Sequence, residues 1–164
     1  MIEKTFPITE KLLATGLRGA QKLLELLSHE HDQLKQARDP ARLLTLANEK
    51  RDAVAQLEQF SKQLGQVLAT EKLMMGADGI AHYFEKAQQA NFNINDAWQC
   101  WLNISELSKK CRLLNEQNGA SIALLSRHTQ RSLQLLRGKS QLATTYGPDG
   151  STRSELFSHT LISV

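Results

Sequence analysis

The sequence predicts an all-α fold, an elongated antiparallel helical bundle or coiled coil of three long helices plus one short helix, with a partly disordered C-terminal tail. Two observations carry this. Apolar residues recur at alternating three- and four-residue steps through most of the chain, the spacing that keeps a stripe on one face of a helix. Aromatic residues make up only 5% of the 164 residues and there are three prolines, which suits a bundle better than a β-sandwich or an α/β enzyme. No repeat of 20–50 residues stands out, which argues against a solenoid. The length fits one domain with a useful core. Composition divides the chain into a helical domain, residues 1–138, and a flexible tail, 139–164.

The first helix is expected from Thr9, a plausible N-cap after Pro7, to Gln36. Its seam reads Leu13, Leu17, Ala20, Leu24, Leu27, His31 and Leu34. Leu12, Leu23 and Leu26 widen the stripe, so this face can touch more than one neighbour. Gly16 and Gly19 weaken the helix by about 1 kcal/mol each relative to alanine and allow a close crossing or a slight bend. Asp39 can cap the second helix, with Pro40 at its first position. That helix is expected to reach Met75, with Leu43, Leu46, Lys50, Val54, Leu57, Ser61, Leu64 and Leu68 on its seam. The short turn between two such helices predicts that they lie antiparallel.

Gly76 to Gly79 breaks the pattern, and Ile80–Gln89 reads as a short helix. The fourth helix is expected over Asp96–Arg137, capped by Asn95 or Asp96 and ended by Gly138. Its seam is Trp101, Ile104, Ser108, Cys111, Asn115, Asn118, Ile122, Leu125, Thr129, Ser132 and Leu136. Asn118-Gly119 is a turn signal, but the apolar phase crosses the pair without slipping, so a continuous helix is predicted. The middle of this seam is polar. Small and amide side chains there set register and partner choice better than they hold a bundle together. Beyond Lys139, Tyr146 to Gly150 is a turn cluster. Phe157, Leu161 and Val164 then fall at helical spacing in a segment suited to ordering against a partner.

Charge narrows the function classes. Net charge is +3, and the excess is local: residues 107–139 carry seven basic groups against one acid, Glu116. Such a stripe suits a solvated face or an acidic partner. It lacks the interleaved aromatics that stacking on single strands requires, so nucleic acid is not the expected partner. The first residues lack the apolar stretch of a signal peptide, and no run approaches the roughly 20 residues of a membrane span. Cys100 and Cys111, eleven apart on one helix, cannot bond to each other. They are expected to be reduced and structural, as in the cytosol.

No catalytic constellation emerges, and no cofactor or metal is expected. His29, Glu30, His31 and Asp32 are consecutive on a helix and point in different directions. His31 reads as a polar seam residue. Phosphate-loop and serine-elbow patterns are absent. Trp98 and Trp101, with Phe92 before them, read as an aromatic plug closing the bundle end over the first two helices. Met74 and Met75 read as adaptable contact surface.

Several features coincide: paired leucine-rich N-terminal helices, the aromatic opening Trp98 to Leu102, then Cys111, Asn115, Asn118-Gly119, Ile122, Thr129, Leu133 and Leu136 to Gly138, and a tail with Tyr146 and Gly150. Together they resemble the FlgN family of bacterial flagellar export chaperones. The resemblance covers most of the chain and is most telling from Cys111 to Gly150. It implies a non-enzymatic cytoplasmic chaperone of flagellar type III export. Its implied partners are the hook–filament junction proteins and the flagellar export apparatus; apart from the resemblance, a homo-oligomer is a further expectation for this chain. It places client binding in the C-terminal part. On this chain the candidate client-binding residues are Asn115, Asn118, Ile122, Leu125, Thr129, Leu133 and Leu136 on the fourth helix, with Phe157 and Leu161 in the tail. Two other readings stand beside it: a coiled-coil adaptor or structural homo-oligomer, and a basic bundle that binds nucleic acid.

Overall fold

The computed structural model describes residues 1–36, 39–137, 145–146 and 152–153. Four helices follow one another: α1 (Ile2–Gln36), α2 (Pro40–Thr70), α3 (Ala77–Gln89) and α4 (Asn95–Leu136). The fold is all-α apart from one antiparallel pair of two-residue strands, β1 (Thr145–Tyr146) and β2 (Thr152–Arg153), with Thr145 opposite Arg153. The chain divides into two compact units, Met1–Ser121 and Ile122–Val164. The second holds the C-terminal stretch of α4 and the strand pair. The tail segment with Phe157 and Leu161 lies outside the described residues.

α1 starts seven residues before the expected Thr9 and carries Pro7 inside it. Proline removes the bond to the carbonyl four residues back. That residue, Glu3, is exposed. Thr9 is no cap. It is buried, and its hydroxyl donates to the Thr5 carbonyl at 3.0 Å while accepting from the Tyr83 phenol at 2.8 Å. Beside it the Thr5 hydroxyl donates to the Glu71 carboxylate at 2.8 Å. This polar knot ties α1 to the end of α2 and to α3.

Asp39 caps α2 as expected: its carboxylate accepts from the Ala41 and Arg42 amides at 2.9 and 3.3 Å. α1 and α2 then run antiparallel, with Gly16 under Phe60, Gly19 under Leu57 and Glu30 beside Lys50. A Cβ on Gly16 would sit 2.7 Å from the Phe60 ring, so this glycine is what admits the aromatic. The admission shifts the α2 seam. Ala53 and Phe60 are buried where Val54 and Ser61 were expected, and the latter two are exposed.

α2 ends at Thr70, five residues short of the expected Met75. Leu73 N–H returns to the Leu68 carbonyl at 2.9 Å and Lys72 N–H to Ala69 at 3.0 Å, with Lys72 left-handed at φ +59°. α3 closes in the same way through Phe92, Asn91 (φ +62°) and the Ala87 and Gln88 carbonyls. In both, the residue after the left-handed one, Leu73 or Phe92, packs against the core, which offsets the strain. α3 itself begins three residues earlier than expected, at Ala77. Gly79 is forced there, because a Cβ on it would collide with the Met74 carbonyl.

α4 runs parallel to α1 and therefore antiparallel to α2. Cys111 Sγ meets the Ala20 carbonyl, and Asn118 meets the Leu27 carbonyl seven residues further along both helices. Continued downward, the same offset sets Leu13 level with Ile104 and Phe6 level with Ala97, all four buried in one apolar cluster. α3 and the aromatics close that end of the bundle. Phe84 meets Trp98 edge-on with centroids 5.1 Å apart, and Phe6 lies 4.9 Å from Phe92. The expected plug exists, with α3 as part of it. The cap of α4 is neither Asn95 nor Asp96. The Asn93 side chain accepts from the Asn95 amide at 3.2 Å.

Candidate functional site

Three features of this framework bear on function. The first is a polar cluster inside the bundle. Glu30 on α1 is 3% exposed, and Asn118 on α4 is 1% exposed. Both Glu30 oxygens accept from the Lys50 ammonium of α2, at 2.8 and 2.9 Å. The Asn118 amide nitrogen donates to the Glu30 carboxylate and to the Leu27 carbonyl, each at 2.9 Å, and its oxygen lies 2.9 Å from His31 Nδ1. That oxygen can only accept, so Nδ1 carries the proton. The cluster joins three helices, and among the described residues no buried side-chain polar atom lacks a partner. Buried polar groups that satisfy one another in this way fix register, because a slip would orphan them. Asn118, a candidate surface residue by sequence, is thus an internal tie.

The second feature is a groove. α4 packs on α1 through Leu107 and Leu114, both half-buried, in alternation with Ile104, Cys111 and Asn118. The sequence reading put Ser108 and Asn115 in those places. Both are instead exposed and face a trough between α2 and α4, floored by α1, of about 520 Å³. Ala20, Leu23 and Leu27 contribute from α1; Ala47, Lys50, Arg51, Val54 and Leu57 from α2; Cys111 and Arg112 join Ser108 and Asn115 from α4. Burial pushes the Cys111 thiol above its usual range, despite the adjacent lysines and Arg112. A reactive thiolate is therefore disfavoured. Both cysteines are free.

The third feature is the C-terminal stretch of α4, which passes Asn118 and Gly119 without interruption, as the seam predicted. Ile122, Leu125 and Leu136 stand eighteen residues beyond Ile104, Leu107 and Asn118. Eighteen residues are five turns, so they occupy the same azimuth as the packed face. Yet Ile122, Leu125, Leu133 and Leu136 are 46%, 39%, 45% and 84% exposed. Thr129 between them is exposed, its hydroxyl bonded to the Leu125 carbonyl at 3.0 Å. A signal the seam reading missed lies here too. Leucine pairs recur every eleven residues, at Leu113 and Leu114, Leu124 and Leu125, Leu135 and Leu136. Eleven residues complete three turns to within about 20°, so each pair sets one leucine on the packed azimuth and one about 100° round the helix from it.

Of the nine candidate residues, five are therefore exposed along one α4 face after Gly119. Asn115 lines the groove, Asn118 is internal, and Phe157 and Leu161 lie outside the described residues. Among the described residues no group of His, Cys, Asp and Glu could hold a metal ion, and no helix is long and apolar enough to cross a membrane. A family model described as FlgN protein matches residues 6–154. No curated protein and no solved structure matches the chain.

Proposed function

The chain belongs to the FlgN family of flagellar proteins, and from that membership we propose that it is a flagellar export chaperone. In this reading it is non-catalytic and cytoplasmic. It holds the terminal helices of hook–filament junction proteins, keeps them from aggregating, and delivers them to the type III export apparatus.

One observation supports a binding role over a purely structural one: the apolar face of α4 from Ile122 to Leu136, exposed on the azimuth that α1 covers earlier in the same helix. That stretch measures about 21 Å at 1.5 Å per residue, enough for four turns of an amphipathic helix laid against it. A client helix separated from its assembly partners has an apolar face of the same kind. Ile122, Leu125, Leu133 and Leu136 supply apolar contact, and Thr129 interrupts the stripe and limits promiscuous sticking. Asn115 contributes at the groove rim. Asn118 contributes indirectly, by holding α4 on α1. Phe157 and Leu161 supply a second apolar pair from the tail, closing over the client.

The test is binding of a purified junction protein to the full chain carrying Ile122→Asp with Leu125→Asp, and separately Phe157→Asp with Leu161→Asp. Each lost apolar contact removes roughly 1.5–3 kcal/mol of burial, so either pair should weaken capture by at least about tenfold. Parental affinity in both variants would refute the client face. Concentration-dependent self-association abolished by the α4 pair would favour the adaptor or homo-oligomer reading, in which a second copy covers the same leucines.

A further inference from the structure

The groove between α1, α2 and α4 lies wholly within Met1–Ser121, and of the residues proposed to bind client only Asn115 lines it. Its floor and inner wall are apolar, from Leu23 and Leu27 on α1 to Val54 and Leu57 on α2. These repeat at three- and four-residue steps, the ridges between which a further helix packs. The lining spans Ala47 to Leu57 on α2, ten residues of rise, or about 15 Å. Three turns of helix fit that length.

The rim has one sign of charge. Lys50, Arg51 and Arg112 line the groove, and no carboxylate does. The Lys50 ammonium is taken by Glu30. Arg112 uses its Nε on Glu116 at 3.1 Å, which leaves its terminal nitrogens for a second carboxylate. Arg51 makes no ion pair among the described residues. A basic arginine therefore stands on each bank, on α2 and on α4. The chain's own tail is poorly suited to them, since residues 139–164 carry no acidic excess: Asp149 and Glu155 are matched by Lys139 and Arg153.

We propose that this groove is a second docking site, for an amphipathic helix of a partner protein that is about three turns long, apolar on one face and acidic along both flanks. The apolar face covers Leu23, Val54 and Leu57, and the flanking carboxylates pair with Arg51 on one bank and Arg112 on the other. Complementary charge of this kind sets orientation and rejects helices of the wrong sign. The site does not depend on the client reading.

The test uses the full chain and a fluorescent synthetic helix of roughly 18 residues, five turns, with a leucine face and glutamate flanks. A counterpart has lysine in place of every glutamate. The glutamate helix should bind at least about tenfold tighter. Arg51→Glu with Arg112→Glu should invert that preference. Val54→Lys, at a site already 39% exposed, should abolish binding of both helices with the unfolding midpoint unchanged. Ile122→Asp with Leu125→Asp should leave binding intact. Equal binding of the two helices, or a preference that survives the arginine exchange, would overturn the proposal. So would binding lost with the α4 pair instead of Val54→Lys. Self-association relieved by Val54→Lys would assign the groove to a second copy. Tighter binding in Phe157→Asp with Leu161→Asp would assign it to the chain's own tail.

Discussion

The amide nitrogen of Asn118 on α4 bonds the main-chain carbonyl of Leu27 on α1 at 2.9 Å, ninety-one positions back in the sequence. Cys111 and Ala20 are separated by the same interval. The two helices are therefore in parallel heptad register, and among the described residues Asn118 is the one buried polar side chain of α4.

Replacing that side chain with leucine tests what it does. A buried leucine ordinarily gains from burial, but Asn118→Leu takes a donor from Glu30 and an acceptor from His31. Stranding such groups costs about 1–3 kcal/mol. Urea unfolding should show the variant less stable than the parent. A more stable variant would mean that the polar tie contributes nothing.

Lys50→Met leaves the Glu30 carboxylate buried with Asn118 as its remaining partner. Breaking a buried pair on one side costs about 3 kcal/mol. Glu30→Leu combined with Lys50→Met should recover most of that loss. A double-mutant cycle reads the coupling, and additive single effects would argue that the two groups do not interact.

Two glycines should respond to alanine with opposite signs. At Gly16 the methyl meets the Phe60 ring, and overpacking there should destabilise by about 1–3 kcal/mol. At Gly119 nothing lies within 4 Å. Alanine there should stabilise the helix by about 0.5–1 kcal/mol through a less free unfolded chain. Thermal melts of the two single variants decide it.

The alkaline limb of stability has a definite direction. Burial raises the Cys111 thiol, and burial first, with Glu71 and Glu10 adding to it, raises the Tyr83 phenol against the lowering effect of the neighbouring Thr5 and Thr9 hydroxyls. For an acid whose folded pKa is raised, the stabilising contribution is complete below the unfolded pKa and is lost as pH climbs through the folded one. Unfolding free energy should therefore begin to fall above the ordinary thiol value of about 8.5. It should fall further through the phenol range, and Cys111→Ala should remove the earlier step. Under native conditions an alkylating reagent should label half-buried Cys100 before Cys111.

Much of the fold was legible because long seams allow few packings. The first-helix seam from Leu13 to Leu34 alternates buried and half-buried residues throughout. The second was misphased locally, since Val54 is as good a seam residue as Ala53. Only the slot over Gly16, a tertiary fact, selects Phe60 and its neighbours. The start of α1 was missed because Pro7 usually opens a helix and here sits inside one. Of the candidate site, the exposed leucines after Gly119 were visible as pattern and Asn118 was placed on the seam, whereas its partners Glu30 and His31 were not foreseen. A signal for it did exist: His31, Lys50 and Asn118 each interrupt a different apolar seam. Three interruptions on three helices find their explanation in one another once the helices are side by side.

A stack of nearly equivalent apolar rungs has no intrinsic zero. Sliding α4 by one heptad, about 10.5 Å, so that Leu13, Ala20 and Leu27 meet Ala97, Ile104 and Cys111 would still give each a small or apolar partner. Within this seam the rung at Leu27 and Asn118 distinguishes one alignment from the next, as an index mark does on a sliding rule. By setting that zero, a single amide tells one rung of the α1–α4 seam from the next.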